Sequence, residues 1–338
     1  MIDTHLVIGR LGCGKTSLIR HLLSQKPADE KWSIVVNEFG QIGIDAALLS
    51  SSVSDKIQIT EIAGGCICCA AQSQLRVQLT ALIRRFRPQR IFIEATGLGH
   101  PAGIVDLLRQ PYFKDIIHLH SVISVIDLSL FNHWDEQANQ KSAINTPLFL
   151  QQVQLADIIV FNKQDLASAS AKQRSDNFFA TIYPPKQQFE FAQHGEVSLE
   201  LLLQHTRPAN ISLFRDIKQT PVEITPLDFS FRGLPIKHSF STDDEMISFG
   251  FILPAELSFN RIPLAALFQQ IIFQVDSDLI RIKAVVNTGK FWHAYNAINQ
   301  QLDIEESSYR RDNRIELITS NKEINQQQFK ENLLACIR

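Results

Sequence analysis

Three of the five cysteines in this 338-residue chain lie close together, at Cys66, Cys68 and Cys69. Thiolates with this spacing can bind one soft or borderline metal ion, and Zn²⁺ is the default in a cell. A redox pair and three small buried side chains remain as alternatives. A disulfide between Cys66 and Cys69 is less favoured, because the cysteine count is odd and reduced thiols are expected in the cytoplasm.

The cysteine cluster lacks the second cysteine or histidine pair that structural zinc sites usually have. The site is therefore either left open or completed by another side chain, such as Glu38 or a histidine. Glu38 is our first choice for the missing ligand. An open position suits exchange of the metal better than a purely structural role.

The segment GRLGCGKTS at 9–17 contains the phosphate-loop pattern G-x-x-x-x-G-K-[ST]. A strand-like run precedes it and a helical pattern follows, which favours a phosphate loop over a chance glycine-rich turn. Lys15 would meet the β- and γ-phosphates, and Thr16 would bind Mg²⁺. The residues predicted to contact the nucleotide here are Gly9, Gly12, Cys13, Gly14, Lys15, Thr16 and Ser17, with Lys15 and Thr16 also predicted to be catalytic.

The segment FNKQD at 161–165 ends a later apolar run. The Asp165 carboxylate can accept from both the ring N–H and the exocyclic amine of guanine, a donor pair that adenine lacks. Asn162 would hold the loop, and the stem of Lys163 would lie over the base. The motif therefore predicts GTP rather than ATP as the nucleotide.

Two more acidic segments lie between these motifs. Glu94 ends the run RIFIE, where a catalytic carboxylate would approach the metal through water, and Gly97 follows where a γ-phosphate sensor would lie. The segment VNEFGQIGID contains Glu38 and Asp45 at the expected position of a switch loop. We assign Asp45 to Mg²⁺ and Glu38 to the transition metal.

Buried strands must position these motifs. Short apolar runs alternate with helical patterns through the first 200 residues, which predicts an α/β fold with a mostly parallel sheet and helices on both faces, as in P-loop NTPases. Ligands of such sheets bind beyond the carboxyl ends of the strands. The cysteines follow the strand IQITEI, so they should lie at the same edge as the nucleotide. The strand-like segments are THLVIG, WSIVVN, IQITEI, RIFIEA, SVISVID, DIIVFN and FEFA.

A change of pattern divides the chain. Residues 206–228 contain three prolines and no sustained periodicity, which indicates a linker between a nucleotide domain at 1–205 and a smaller α+β domain at 229–338. Strand-like runs and two helical patterns, at 263–275 and 324–337, occur in the second domain.

The composition and net charge argue against several classes of protein. The net charge is −2, so neither nucleic acid nor an anionic membrane is an expected partner. Neither a membrane span nor a signal peptide is recognisable, and we expect a cytoplasmic protein.

The motif set resembles that of CobW-type GTPases, relatives of the urease- and hydrogenase-maturation GTPases. GRLGCGKTSLI, VVNEFGQIGID, GGCICC, IEATGLGHP and FNKQDL occur in the family's order, and LIRIKAVV and RRDNRIELI resemble its C-terminal domain. The resemblance implies that Cys66, Cys68, Cys69 and Glu38 belong to the metal site. His100 departs from the aspartate that family members often have before the proline.

Together these features predict a slow GTPase that uses GTP and Mg²⁺ and carries Zn²⁺, or Co²⁺ or Ni²⁺, to a client metalloprotein or a metal-cofactor pathway enzyme. A homodimer is compatible with the sequence. The alternative is a GTP-gated adaptor with a structural zinc and a partner-binding C-terminal domain. The NKQD segment disfavours a third function, that of an ATP-dependent kinase.

Overall fold

The computed structural model describes most of the chain as two compact units, Met1–Ala209 and Asn210–Arg338. The described residues are 1–38, 56–63, 69–95, 101–132, 134, 144, 146–186, 188–200, 225–242, 247–273, 280–298, 301–320 and 324–338. No helix within these ranges is long and apolar enough to cross a membrane.

The first unit contains a seven-stranded sheet. Its order is β3-β2-β4-β1-β5-β6-β7, and every neighbouring pair is parallel. All seven strands coincide with strand-like runs of the sequence, so the prediction of a parallel α/β sheet is confirmed. The strands are β1 (Ile2–Gly9), β2 (Trp32–Glu38), β3 (Ile57–Ala63), β4 (Arg90–Glu94), β5 (Ile117–Asp127), β6 (Ile158–Asn162) and β7 (Gln188–Phe191).

Helices cover both faces of this sheet. Val7 and Val125 pack in the core that contains α1, whereas Leu6 packs with α2 and α3, and Ile126 packs with α5 and α6. Successive residues of a strand point to opposite faces, which accounts for the alternation. The helices are α1 (Lys15–Ser24), α2 (Cys69–Phe86), α3 (Ala102–Leu108), α4 (Pro111–Lys114), α5 (Pro147–Leu155) and α6 (Ala171–Ala180).

The described residues of the second unit form an antiparallel sheet with two helices, which confirms the predicted smaller α+β unit. The sheet order is β14-β13-β12-β15-β11-β10-β8, with β9 paired to β10. Residues 225–226, inside the segment expected to be a linker, form β8. The elements are β8 (Thr225–Pro226), β9 (Phe229–Phe231), β10 (Leu234–Thr242), β11 (Ile247–Pro254), α7 (Arg261–Phe273), β12 (Ile280–Asn287), β13 (Trp292–Ile298), β14 (Gln301–Ser307), β15 (Asp312–Thr319) and α8 (Gln326–Ala335).

Strands β13 and β14 were not anticipated from the sequence. Strand β14 reads QLDIEES, with carboxylates on its solvent-exposed positions, as expected of a strand at the edge of a sheet. Its apolar members, Leu302 and Ile304, alternate with these acids and pack against the core of this unit. With only two apolar residues among its acids, the segment resembles a polar loop in the sequence, and its pairing with β13 shows that it is a strand.

Glu316 on β15 is a buried acid in this second sheet. It lies opposite Lys283 of β12 in the strand register, and its Oε2 has no hydrogen-bond partner in the described part of the chain. Burial raises the pKa of Glu316 from its usual 4.5 to about 8, and the charges of Lys283 and Arg281 oppose this rise only in part. The folded state therefore holds the proton more tightly than the unfolded chain does.

We expect Glu316→Gln to remove a pH dependence of stability. A raised folded pKa gives stability that is fully present below about pH 4.5 and is lost as the pH rises through about 8. The wild type should lose roughly 3–5 kcal/mol of unfolding free energy across that range, and Glu316→Gln should lose little of it. Urea unfolding at about pH 5 and about pH 9 measures this. The exposed Glu256→Gln is the matched control, and an equal pH dependence in both variants would contradict the assignment.

Candidate nucleotide and metal site

The segment that joins β1 to α1, residues 9–14, has a backbone that only glycine accommodates at two positions. Gly9 has φ +144° and Gly14 has φ +102°. A Cβ on Gly9 would lie 2.3 Å from the Val125 carbonyl oxygen, and a Cβ on Gly14 would lie 2.1 Å from Nδ2 of Asn162. Gly12 also has positive φ. Glycine at positions 9 and 14 therefore lets the predicted phosphate loop pack closely against Val125 and Asn162, whereas a Cβ on Gly12 would meet nothing within 4 Å.

Two side chains follow this loop at the start of α1. Lys15 is buried, and its ammonium donates to the carbonyl oxygen of Arg10 at 3.3 Å. The Thr16 hydroxyl donates to the Glu94 carboxylate, at 3.1 Å from Oε1 and 3.3 Å from Oε2. Glu94, at the carboxyl end of β4, is itself buried. The structure thus brings together a hydroxyl and a carboxylate from motifs 78 residues apart.

Cys13 has its thiol inside the loop. The Sγ would lie 2.8 Å from a Cβ placed on Gly9, so the thiol packs against the first glycine. Burial raises the pKa of the Cys13 thiol, although the nearby Lys15 ammonium lowers it. Cys13 is therefore a small neutral packing residue in this structure. Ser17 is half-buried in the first turn of α1.

Asn162, at the end of β6, joins two loops. Its Nδ2 donates to the carbonyl oxygen of Cys13 and its Oδ1 accepts from the backbone N–H of Gly195, both at 2.9 Å. The side chain is 2% exposed. The sequence predicted a loop-holding role for Asn162 but identified neither of its two partners.

Gly195, in the loop after β7, is a residue that the sequence pattern alone did not reveal. It has φ +79°, and a Cβ there would lie 2.5 Å from the backbone nitrogen of Leu18 in α1. The available signal was the segment AQHGE directly after the last parallel strand, at the edge where ligands bind.

Lys163 and Asp165 follow Asn162. Lys163 adopts the left-handed backbone conformation, with φ +60°, and its ammonium lies 2.7 Å from Oδ2 of Asp127 at the end of β5. Asp165 lies in the one-turn 3-10 helix Gln164–Leu166 and is exposed. Its carboxylate is therefore accessible at the edge of the site. Asp127 was not anticipated, because its link to Lys163 depends on the adjacency of β5 and β6.

The predicted metal ligands are described only in part. Glu38 is the last residue of β2, and Cys69 is the first residue of α2. Cys66, Cys68, Asp45, Gly97 and His100 lie outside the described residues. Within the ranges that the structure describes, no group of three or more histidine, cysteine, aspartate or glutamate side chains is arranged to hold a metal ion.

Comparison with known proteins decides the family. The sequence profile of the CobW/HypB/UreG nucleotide-binding domain matches residues 3–189, more than half of the chain. The chain belongs to the CobW/HypB/UreG family of GTPases. This membership confirms the resemblance noted in the sequence. The P-loop fold predicted from the alternating strand-like and helical segments agrees with the parallel sheet described above.

The chain is also similar to individual proteins. The chain is 40% identical over 202 residues to zinc chaperone YeiR of Escherichia coli (strain K12), covering 60% of this chain and 58% of YeiR. It is 30% identical over 219 residues to zinc chaperone CobW of Pseudomonas aeruginosa, covering 59% and 58%. The chain thus spans less than two thirds of the length of these relatives.

The Zn(II)-bound YjiA GTPase structure from E. coli aligns over 99% of this chain and 98% of its own, with 16% identity and a TM-score of 0.46.

We expect Gly195→Ala to destabilise the nucleotide site more than a matched glycine substitution elsewhere. Its Cβ would meet backbone atoms of α1, and its positive φ adds strain, so the loss should be about 3 kcal/mol or more of unfolding free energy. Gly233, in the second unit, has φ +78°, and a Cβ placed there would meet nothing within 4 Å, so Gly233→Ala should cost only about 1–2 kcal/mol. Urea unfolding measures the free energy of unfolding of both variants. Equal losses would show that the close approach of Gly195 to α1 does not affect stability.

Proposed function

We propose that this chain is a GTP-hydrolysing metallochaperone, and the Thr16–Glu94 contact is the observation that carries the proposal. A hydroxyl from the phosphate loop and a buried carboxylate from the neighbouring strand β4 meet at 3.1 Å, as a magnesium-dependent nucleotide site requires. An ordinary glycine-rich turn would not need an acid buried beside it. The family membership supports the same activity.

The residues of the loop would act on the phosphates by binding and orientation. The N–H groups of residues 12–16 would hold the phosphate oxygens, and the Lys15 ammonium would exchange the Arg10 carbonyl for them. Thr16 would bind Mg²⁺ directly, Glu94 through water and Asp45 from the switch loop. Mg²⁺, when bound, supplies charge neutralisation at the β- and γ-phosphates. We propose slow intrinsic hydrolysis, since the sequence shows no clear water-positioning glutamine or arginine finger.

The guanine base would bind beside the residues after β6. Asp165, exposed at the edge of the site, would accept from the two guanine donors. Both polar atoms of the Asn162 side chain already bond to the backbone of Cys13 and Gly195. Its role would therefore be to hold the loop and not to bind the base. Lys163, held by Asp127, would present its stem to the base.

The transition-metal site is supported by the strand register. Glu38 of β2 pairs with Ala63 of β3, so the backbone of Glu38 lies one strand away from a residue only three positions before Cys66. Thiolates and one carboxylate form a ligand set that suits Zn²⁺, and Co²⁺ or Ni²⁺ would also be accepted. YeiR and CobW are named zinc chaperones, and a HypB structure from Helicobacter pylori is described as a complex with nickel. We therefore propose Zn²⁺ as cargo, held by Glu38, Cys66, Cys68 and Cys69.

The cargo and the nucleotide would share one edge of the sheet. Strand β2 lies between β3, which precedes the cysteines, and β4, which ends at Glu94. A change in the γ-phosphate contacts of the loop at 96–100 or of the switch at 37–45 would therefore act close to both sites. We propose that this coupling releases the metal to a client metalloprotein or a metal-cofactor pathway enzyme.

We expect Cys68→Ser to remove the metal without removing the nucleotide site. Protein purified under reducing conditions should hold about one Zn²⁺ per chain in the wild type and close to none in the variant, because a hydroxyl is a far poorer zinc ligand than a thiolate. Metal analysis measures the content, and GTP hydrolysis compared with ATP hydrolysis checks that the nucleotide site is intact. Cys336→Ser, at a buried and free cysteine of the second unit, is the matched control and should keep its zinc.

The same variant distinguishes the carrier from the adaptor. A carrier should stay folded when zinc is absent, as judged by circular dichroism, whereas a structural zinc would leave Cys68→Ser partly unfolded. Full zinc content in Cys68→Ser would contradict the proposed site.

A further inference from the structure

A shallow groove lies on the surface of the first unit between α2 and α4. It has a volume of about 490 Å³, and none of the described residues that line it belongs to the proposed nucleotide or metal site. Most of the lining comes from α2, and one residue comes from α4. We call this surface the arginine groove; its lining residues are Arg76, Val77, Thr80, Ala81, Arg84 and Tyr112.

The arginine groove follows the solvent-facing side of α2. Its helical residues recur at intervals of three and four, so they form one face of the helix. The opposite face, with Leu75, Leu79 and Leu82, is buried in the core beneath. In the groove, Val77 is 63% exposed and Tyr112 is 42% exposed. The groove therefore presents accessible apolar side chains on a helix whose other side is packed.

Positive charge is concentrated around this groove. Between Glu61 and Glu94 the sequence contains five arginines and no other charged side chain, although the whole chain has a net charge of −2. Over the ranges that the structure describes, neither Arg76 nor Arg84 has a carboxylate partner, and Arg76 lies over the ring of Tyr112 at 5.6 Å. Both guanidinium groups are therefore available to carboxylates of a ligand.

Stabilisation of the helix itself does not account for both arginines. Arg84 lies in the last turn of α2, where the helix dipole favours a cation. Arg76 lies in the middle of the helix, outside the reach of that effect, and no acid lies three or four positions from it. The helix alone therefore gives no reason for a cation at residue 76.

The spacing of the two arginines indicates the shape of the ligand. Arg76 and Arg84 are eight positions apart, which corresponds to about 12 Å along a helix. Val77 and Ala81 lie between them. A ligand that satisfies this pattern carries two carboxylates about 12 Å apart with apolar groups between them. A second helix with acidic side chains two turns apart meets this requirement.

A protein helix fits this surface better than a membrane or a nucleic acid does. Helices that bind membrane surfaces place a large apolar face in the lipid, but the apolar face of α2 is buried in the protein. Single strands of nucleic acid stack their bases on aromatic rings, and the ring of Tyr112 already lies under Arg76. Tyrosine and arginine are enriched at protein–protein interfaces, whereas lysine and the acids are depleted.

We propose that the arginine groove binds an acidic amphipathic helix of a partner protein. Two carboxylates would pair with Arg76 and Arg84, and the apolar side chains between them would pack against Val77 and Tyr112. Helix α2 begins at Cys69, so a partner bound here would lie on the element that continues from the cysteine loop. The further identification of this partner as the client that receives the metal rests on the proposed function.

Two synthetic helical peptides test the groove. Each is about 16 residues long and has leucines on one face; one carries glutamates two turns apart beside the leucines, and the other carries lysines there. Fluorescence anisotropy with the full chain, free of zinc and nucleotide, measures both affinities. The glutamate peptide should bind about 10-fold or more tightly than the lysine peptide, because it gains charge-assisted hydrogen bonds. Added salt should weaken its binding.

Charge reversal of the protein locates the peptide. Arg76→Glu/Arg84→Glu should reverse the preference, so that the lysine peptide binds more tightly than the glutamate peptide. Arg85→Glu/Arg87→Glu is the matched control, because it changes the net charge equally at two exposed arginines outside the groove. This control should keep the wild-type preference. Thermal melts check that both double variants are folded.

Three results would overturn the proposal. Failure of the glutamate peptide to bind the wild type would show that the groove is not a site for an acidic helix. Equal weakening by the two double variants would show that only net charge is sensed. Binding to vesicles that contain phosphatidylserine, lost in Arg76→Glu/Arg84→Glu and without peptide binding, would assign the groove to a membrane. The zinc content of Cys68→Ser tests the metallochaperone proposal separately, since the peptide affinities are measured without zinc.

Discussion

The proposed nucleotide site depends on the buried amide of Asn162, which connects two loops. Its Nδ2 bonds the phosphate loop at Cys13, and its Oδ1 bonds the loop after β7 at Gly195, each at 2.9 Å. Both partners are backbone groups, so the geometry depends on the fold and not on flexible side chains. Loss of this amide would leave a donor and an acceptor unpaired in the interior, where such groups are most costly.

The same constraint explains the glycines around Asn162. Gly14 must be glycine because Asn162 lies where its Cβ would be, and Gly195 must be glycine because α1 approaches it from the other side. The predicted phosphate loop, the loop after β6 and the loop after β7 therefore pack against one another at the carboxyl ends of β1, β6 and β7. A pre-formed assembly of this kind lowers the ordering cost of binding a nucleotide.

Much of this arrangement follows from the sequence. The phosphate loop, the parallel sheet and the loop-holding role of Asn162 all follow from local patterns combined with the rule that parallel strands end at one edge. The contacts of Gly195 and Asp127 could not be found that way, because their partners lie 33 and 36 residues away in the sequence and come close only through strand adjacency. Strand β14 was missed for a different reason: its exposed acids protect a sheet edge and resemble a polar loop. The cysteine site stays a prediction, supported by the register of Glu38 with Ala63.

We propose that nucleotide state and metal affinity are linked through this one edge of the sheet. Linkage requires that Zn²⁺ bind differently to the two nucleotide states, and the effect must be reciprocal. The most direct test is competitive chelator titration of Zn²⁺ affinity in the presence of GTPγS–Mg²⁺ and of GDP–Mg²⁺. We expect the two Zn²⁺ affinities to differ by about 5-fold or more, as is typical of coupled sites. Equal affinities would contradict the coupling, even if the metal site itself were confirmed.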